Sequence, residues 1–460
     1  MGGQTGGKAG GREGGHVWTS AEVAEALGVL APGTQTFTSI STDTRHLTPD
    51  SLFLALKGDR FDAHEFLADA RAHGASAAVV RRGTPSVDGL PFFEVGDTLE
   101  ALGLLARARR RRLPAGSPVV AITGSSGKTS TKEMIRAALA TRWRVHATTA
   151  NLNNRVGVPL TILGAPEDSD ALVVEAGASV RGEIEQLRRI IEPTIAVVTN
   201  VGYAHVEGFG SLEGVMREKL ALVEGVPLAV VGTDPAALAT EARRRTRTLV
   251  AGSDPAADVH PDHAELDDAG QPRIRWAGHE VTVPVTGFHQ IENAAIALAV
   301  AREAGADSAR ALGALAGVRL PPGRGGVLAV RGLTVIDDTY NANPASLHWA
   351  VRFAQWLAAR QRRPLAVVVG SMLELGPESG RLHAAAAREI AGVQPALIGA
   401  VGEFVPAFAG LAPKFQGRLV TAPDAEALGP RLREALQGDE IVLLKASRGA
   451  ALERVLRHLN

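Results

Sequence analysis

With 460 residues, 45% hydrophobic and 21% charged, the chain is long enough for several domains with sizeable apolar cores. Lys plus Arg equals Asp plus Glu at 49 each, so no global field draws the chain to nucleic acid or a membrane surface, and any anionic ligand must be held locally. The absence of cysteine excludes disulfides and thiolate metal sites, leaves His, carboxylates and hydroxyls as ligands, and fits a cytoplasmic protein.

The opening fifteen residues, eight of them glycine, hold no apolar h-region and read as a disordered tail rather than a signal peptide or anchor. From Val17 the pattern becomes structured: Thr19 and Glu22 make a capping box ahead of Val23, Ala24 and Leu27, which predicts a short helix. SISTDTRHLTPDSLFLALKG follows, with the polar cluster Ser41, Thr42, Asp43, Thr44 and Arg45 ahead of an apolar strand, Leu52 to Leu56. Such a loop can hold a nucleotide or phosphate through its hydroxyls and its arginine. An ordinary polar turn is the other reading these residues leave open. Helical spacing in AHEFLADARAHGA and the strand-like AAVV from Ala77 extend a small α/β unit to about Leu113. Five arginines in the six residues Arg107 to Arg112 read as capping a helix end and solvating a linker, since no aromatic is interleaved. Pro114 to Pro118 reads as a hinge.

Val119 to Ile135, VVAITGSSGKTSTKEMI, is a run of β-formers, a Gly/Ser loop and a helical pattern. A strand feeding a Gly-rich turn that opens a helix aims backbone N–H groups and the positive helix end at one point, which suits a polyphosphate. Gly124, Ser125, Ser126, Gly127, Lys128, Thr129 and Ser130 form this loop, with Lys128 to neutralise β/γ-phosphates and the Thr129 hydroxyl for Mg²⁺. The loop is shortened, because Ile122 stands where the strict pattern has its first glycine. Strands at Ala171, Thr194 and Pro227 alternate with helices and predict a mostly parallel, doubly wound sheet. Ala251 to Thr286 reads as a β-rich excursion, and GFHQIENAAIALAVAREAG as a helix. RLPPGRGG, Arg319 to Gly326, interrupts the helical pattern; beyond it LTVIDDTY, PLAVVVGSML, PALIGAVG and EIVLLKAS carry strand-like runs of a Rossmann-like unit. The division expected is a tail at 1–15, a first domain at 16–114, a central ATP-binding domain at 115–318 and a third domain at 319–460.

Three further groups look like hard-cation ligands at strand ends or in the loops after them: Glu175, His205, and Lys219 fourteen positions beyond it. One carboxylate, one hydroxyl and nucleotide phosphates make a sensible Mg²⁺ shell. Taken singly, Glu175 is also readable as a polar strand end, His205 as a satisfied turn histidine, and Lys219 as a surface lysine on GVMREKLALVE.

GSSGKTSTKEM, NLNNRVGVPLT, VEAGASVRGEI, TNVGYAHVEGFGSLEGV, DDTYNANPASL, GSMLELG and KASRGAALE together resemble the MurF type of Mur ligase. The resemblance runs in order over nearly everything after the Gly-rich tail. It implies a three-domain α/β enzyme of peptidoglycan precursor synthesis. In such an enzyme ATP phosphorylates the terminal carboxylate of a UDP-N-acetylmuramoyl-tripeptide, and the amine of D-alanyl-D-alanine attacks the acyl phosphate to leave an amide, ADP and phosphate. It implies two Mg²⁺ served by Thr129, Glu175, His205 and an N-carboxylated Lys219, with Lys128, Glu175, His205 and Lys219 carrying catalysis. Asn293 matches an adenine contact, and Arg324, Asp338, Asn341 and Asn343 match residues that close over ATP. Ser41, Asp43, Thr44 and Arg45 match the loop for the uridine diphosphate; the resemblance further implies that Asn153 and Asn154 face the muramoyl-peptide and that Lys445, Ser447 and Arg448 reach the dipeptide or phosphate.

Ala150, Ser179, Leu220, Ala221 and Ser371 depart from the family pattern, and none removes a phosphate or metal ligand. Two other readings stand beside this one: a relative adding the third amino acid or a folate-type glutamate, and a nucleotide-binding module without ligase activity. A monomer without a membrane span or nucleic-acid partner is expected.

Overall fold

The computed structural model describes residues 16–58, 61–415 and 417–459, so the tail expected at 1–15 lies outside the described residues. The chain divides into two compact units. One holds the described residues up to Ser117 with Arg144–Val174 and Arg189–Glu192; the other holds Pro118–Trp143, Glu175–Arg188 and everything from Pro193.

In the first unit β1 (Trp18–Thr19) precedes α1 (Ser20–Leu27), and β1 pairs antiparallel with β2 (Thr36–Phe37). The capping box forms as its sequence predicts: Glu22 N donates to Thr19 Oγ1 at 3.2 Å and Thr19 N to Glu22 Oε2 at 2.8 Å. A parallel sheet follows, β3 (Ser39–Ser41), β4 (Ser51–Leu54), β5 (Ala75–Arg81) and β6 (Phe92–Val95) in that order, with α2 (Leu67–Ala72) between β4 and β5 and α3 (Thr98–Arg110) after β6. The helical stretch AHEFLADARAHGA is split: the Asp62 carboxylate accepts from His64 N and sets a 3₁₀ turn, Ala63–Phe66, before α2.

The chain enters the second unit through β7 (Val119–Thr123), buried along its whole length, and α4 (Lys128–Leu139). It returns to the first for β8 (Val145–Ala147), α5 (Gly157–Leu163) and all but the last residue of β9 (Ala171–Glu175), where β8 and β9 pair in parallel. After α6 (Glu183–Ile191) come β10 (Ile195–Val198), α7 (Val206–Phe209), α8 (Leu212–Leu220), β11 (Leu228–Val231), α9 (Ala236–Arg243) and β12 (Thr248–Val250). Strands β12, β11, β10 and β7 lie side by side in parallel. Their unbroken apolar runs suit a sheet covered on both faces. The arginine run does cap a helix end: Arg110 donates to the carbonyls of Ile191 and Glu192, while Arg107 and Arg111 pair with the Glu192 carboxylate at 2.7 and 2.6 Å.

The β-rich excursion is an antiparallel sheet of β13 (His263–Leu266), β14 (Pro272–Trp276) and β15 (His279–Thr282). Next, α10 (His289–Glu303), apolar nearly all round, packs against α4, and α11 (Ser308–Ala314) follows. The last part orders β16 (Gly326–Val330), β17 (Leu333–Asp338), β18 (Leu365–Val369), β19 (Leu397–Val401), β20 (Leu419–Ala422) and β21 (Ile441–Lys445) as β16-β17-β21-β18-β19-β20. Every neighbour is parallel except β16, an antiparallel edge strand with four of its five residues exposed, which is not among the strands expected from the sequence. Helices α12 (Pro344–Gln361) and α13 (Ser379–Gly392) cover this sheet. Among the described residues no helix is long and apolar enough to cross a membrane.

Candidate active site

The site is built where β7 meets α4. Gly124 has φ 151°, and a Cβ there would lie 1.9 Å from Thr199 Oγ1; Gly127, at φ 79°, would place one 2.8 Å from Asn293 Oδ1. Both glycines are therefore dictated by conformation and close approach together. The first turn of α4 carries no side-chain cap. Asn200, just past β10, braces the loop by accepting from Ser126 N at 2.9 Å and donating to Ser126 O at 3.2 Å, and the Thr199 hydroxyl donates to the same carbonyl at 2.6 Å.

Lys128 is half-buried, and its amine folds back onto the Gly124 carbonyl at 2.8 Å. Burial lowers its pKa, Glu175 opposes that and Arg324 adds to it. Thr129 Oγ1 donates to Glu175 Oε2 at 2.9 Å, so the hydroxyl and carboxylate singled out as hard-cation ligands are neighbours in a buried setting. Ser125 and Ser126 also meet Asn343, the N-cap of α12: its amide nitrogen donates to Ser125 O at 3.2 Å and to Ser126 Oγ at 2.9 Å. Asn293 accepts from Thr131 Oγ1 at 3.0 Å and donates to Gln290 Oε1 at 2.9 Å, a buried chain beneath the loop.

Lys219 is not a surface lysine: it is 0% exposed on α8, and among the described residues its amine has no hydrogen-bond partner. Burial first, then the charge of Lys128, pulls its pKa down to about 7. The Phe209 ring lies 5.7 Å from this amine and stands edge-on to His205, ring centres 6.3 Å apart. His205 has a left-handed backbone, φ 54°, and its Nδ1 sits 2.5 Å from Glu374 Oε2.

Arg324 stacks on Tyr340 at 3.9 Å with Arg448 at 5.7 Å from the same ring. Asp338 pairs with the buried Lys445 at 2.6 Å; the Lys445 amine also donates to Asn341 O, and Ser447 Oγ donates to Ala342 O. Ser130 is buried on the first turn of α4.

The first unit holds the remaining predicted residues. Asp43 caps a 3₁₀ turn, Thr44–His46, and accepts from Arg45 Nη2 at 2.7 Å, which holds its carboxyl well below the usual range; Ser41 Oγ accepts from Asp43 N. Asn154 Oδ1 accepts from Val156 N and Gly157 N at the start of α5, beside Asn153. Thr131, Thr199, Asn200, Tyr340 and Glu374 were not singled out in the sequence; the Thr-Asn pair closing the strand run TIAVVTN was the available signal for two of them.

Residues 122–301 match the family model of the Mur ligase middle domain and residues 323–448 that of the Mur ligase, glutamate ligase domain. The chain is 36% identical over 441 residues to the UDP-N-acetylmuramoyl-tripeptide–D-alanyl-D-alanine ligase of Escherichia coli strain K12, covering 92% of this chain and 94% of that one. It is 33% identical over 435 residues to the Bacillus subtilis strain 168 enzyme of the same name, covering 91% and 92%. A crystal structure of MurF from Acinetobacter baumannii superposes with a TM-score of 0.86 at 31% identity, covering 97% of this chain and 99% of that one. MurF ligase from Thermotoga maritima in complex with ADP gives 0.78 at 29% identity, covering 92% and 96%.

Proposed function

The chain belongs to the MurF-type Mur ligases, and from that premise we propose that it joins D-alanyl-D-alanine to UDP-N-acetylmuramoyl-tripeptide at the expense of ATP, through an acyl phosphate. The observation that carries the nucleotide half of this reading is the Thr129–Glu175 hydrogen bond at the uncapped start of α4, beside Lys128. Hydroxyl, carboxylate and ammonium there fit a Mg²⁺–nucleotide, the hard oxygens for the cation and the ammonium for the phosphates. Among the described residues no three His, Asp or Glu side chains cluster as a cage, which leaves phosphate and modified-lysine oxygens to complete any shell.

In this reading Lys128 leaves the Gly124 carbonyl for the transferring phosphoryl group, and Arg324, stacked on Tyr340, helps to neutralise its charge. Asn343 holds the loop through Ser125 and Ser126, and Asn293 packs closely under Gly127. Mg²⁺, bound by Thr129, Glu175, His205 and Lys219, would supply charge neutralisation. The fit of Lys219 depends on chemistry, since an ammonium repels a cation. The neutral amine present near pH 7 adds CO₂ and releases a proton, and the resulting carbamate offers oxygens of the type Mg²⁺ takes. Ser41, Asp43, Thr44, Arg45, Asn153 and Asn154 take the UDP-sugar side, and Ser447 and Arg448 the dipeptide or phosphate, with Lys445 holding Asp338 and Asn341 in place. The domain division at 16–114, 115–318 and 319–460 is part of the same proposal.

The test is ADP release and product mass with ATP and UDP-N-acetylmuramoyl-tripeptide, with and without D-alanyl-D-alanine. A product heavier by one D-alanyl-D-alanine residue pair, formed only in the complete mixture, supports the reading. ADP release that ignores the dipeptide, or addition of a single amino acid instead, overturns it.

A further inference from the structure

We infer that Glu374 is a positioning residue for His205, contributed by the segment after the Arg319–Gly326 interruption to a ligand in the segment before it. This rests on the reading of His205 as a cation ligand given above. Three observations converge. Glu374 Oε2 lies 2.5 Å from His205 Nδ1, within reach of a ring N–H carried on that atom. The backbones are tied as well: Glu207 N donates to Glu374 O at 3.2 Å. Both residues are held in the left-handed region, His205 at φ 54° and Glu374 at φ 63°, which non-glycine residues adopt at a cost and keep only where surroundings impose it.

The chemistry follows from the two ring nitrogens. A carboxylate at Nδ1 keeps the proton on that atom, and the lone pair is then on Nε2, free for a cation. It also fixes the ring plane, which Phe209 limits from the edge. Glu374 lies in SMLELG, and its half-exposed side chain has no other ion-pair partner among the described residues. Ring orientation at His205 therefore depends on a side chain from the later segment.

Two readouts on the full chain test this. The first is the tautomer of His205 in metal-free protein, from ¹⁵N shifts of ¹⁵N-histidine label, assigned by the signal lost in His205→Ala. The second is Mn²⁺ affinity by electron paramagnetic resonance with a non-hydrolysable ATP analogue. The expected result for Glu374→Ala is a shift of His205 toward the Nε2–H tautomer and Mn²⁺ binding weaker by about 10- to 100-fold. Glu374→Gln, which keeps an acceptor oxygen, should recover most of both. An unchanged tautomer and unchanged Mn²⁺ affinity in Glu374→Ala, with affinity lost in His205→Ala, overturn the role of Glu374 and leave the metal reading standing. Unchanged affinity in His205→Ala overturns the metal reading and this inference with it.

Discussion

The side-chain amide of Asn343 donates to the carbonyl of Ser125, 218 residues earlier, at 3.2 Å, while its oxygen accepts from Ser346 N at 2.9 Å and caps α12. One side chain thus serves a helix and the Gly124–Ser130 loop at once. Asn343→Asp keeps the capping oxygen and removes the donors to Ser125 and Ser126. It should leave thermal stability near wild type and raise the KM for ATP. Asn343→Ala should add a stability loss of about 1 kcal/mol. Equal ATP kinetics in wild type and Asn343→Asp would contradict the loop role.

Lys128→Ala removes the amine proposed to meet the phosphoryl group and leaves only a loop carbonyl without its partner. The expected outcome is a fall in turnover of about 10²- to 10³-fold with folding retained, measured as ADP release and by circular dichroism. Undiminished turnover would remove the phosphate loop from the account.

Arg45 is 80% exposed and pairs with Asp43 on the surface of the first unit, so its loss should not disturb folding. Arg45→Ala should raise the KM for UDP-N-acetylmuramoyl-tripeptide and spare that for ATP, the pattern of lost uniform binding. A shift in the ATP value instead would place this loop at the wrong substrate.

Local chemistry was legible in the sequence where contacts are local. The box of Thr19 and Glu22, the strand–loop–helix at Gly124 to Ser130, and the β-rich character of the excursion around Trp276 follow from spacing alone. The burial of Lys219 was not legible from its own pattern: GVMREKLALVE alternates charge like a solvated helix, and only the resemblance marked this lysine, which the fold buries beside Phe209. Asn343 at Ser125, Tyr340 between Arg324 and Arg448, and Glu374 at His205 each depend on tertiary contacts, which no residue spacing encodes.

His289 gives a pH dependence. Burial, reinforced by Lys445 and opposed by Asp338, lowers its pKa from 6.5 to about 4, and among the described residues its Nδ1 has no partner. The unfolded chain therefore binds the extra proton between these values. Stability is lost as pH falls below about 6.5 toward 4 and is fully present above it, with a slope of up to about 1.4 kcal/mol per pH unit. Chemical denaturation of wild type and His289→Gln across that window should show the difference between them shrinking at acid pH. A constant difference would mean the histidine is not buried neutral.

The most direct measurement uses UDP-N-acetylmuramoyl-tripeptide labelled with ¹⁸O in its terminal carboxylate, turned over with ATP and D-alanyl-D-alanine, followed by mass analysis of the released phosphate. Activation of that carboxylate by ATP predicts one ¹⁸O transferred to each phosphate formed. Phosphate free of label, with ADP released at the same rate, would contradict it.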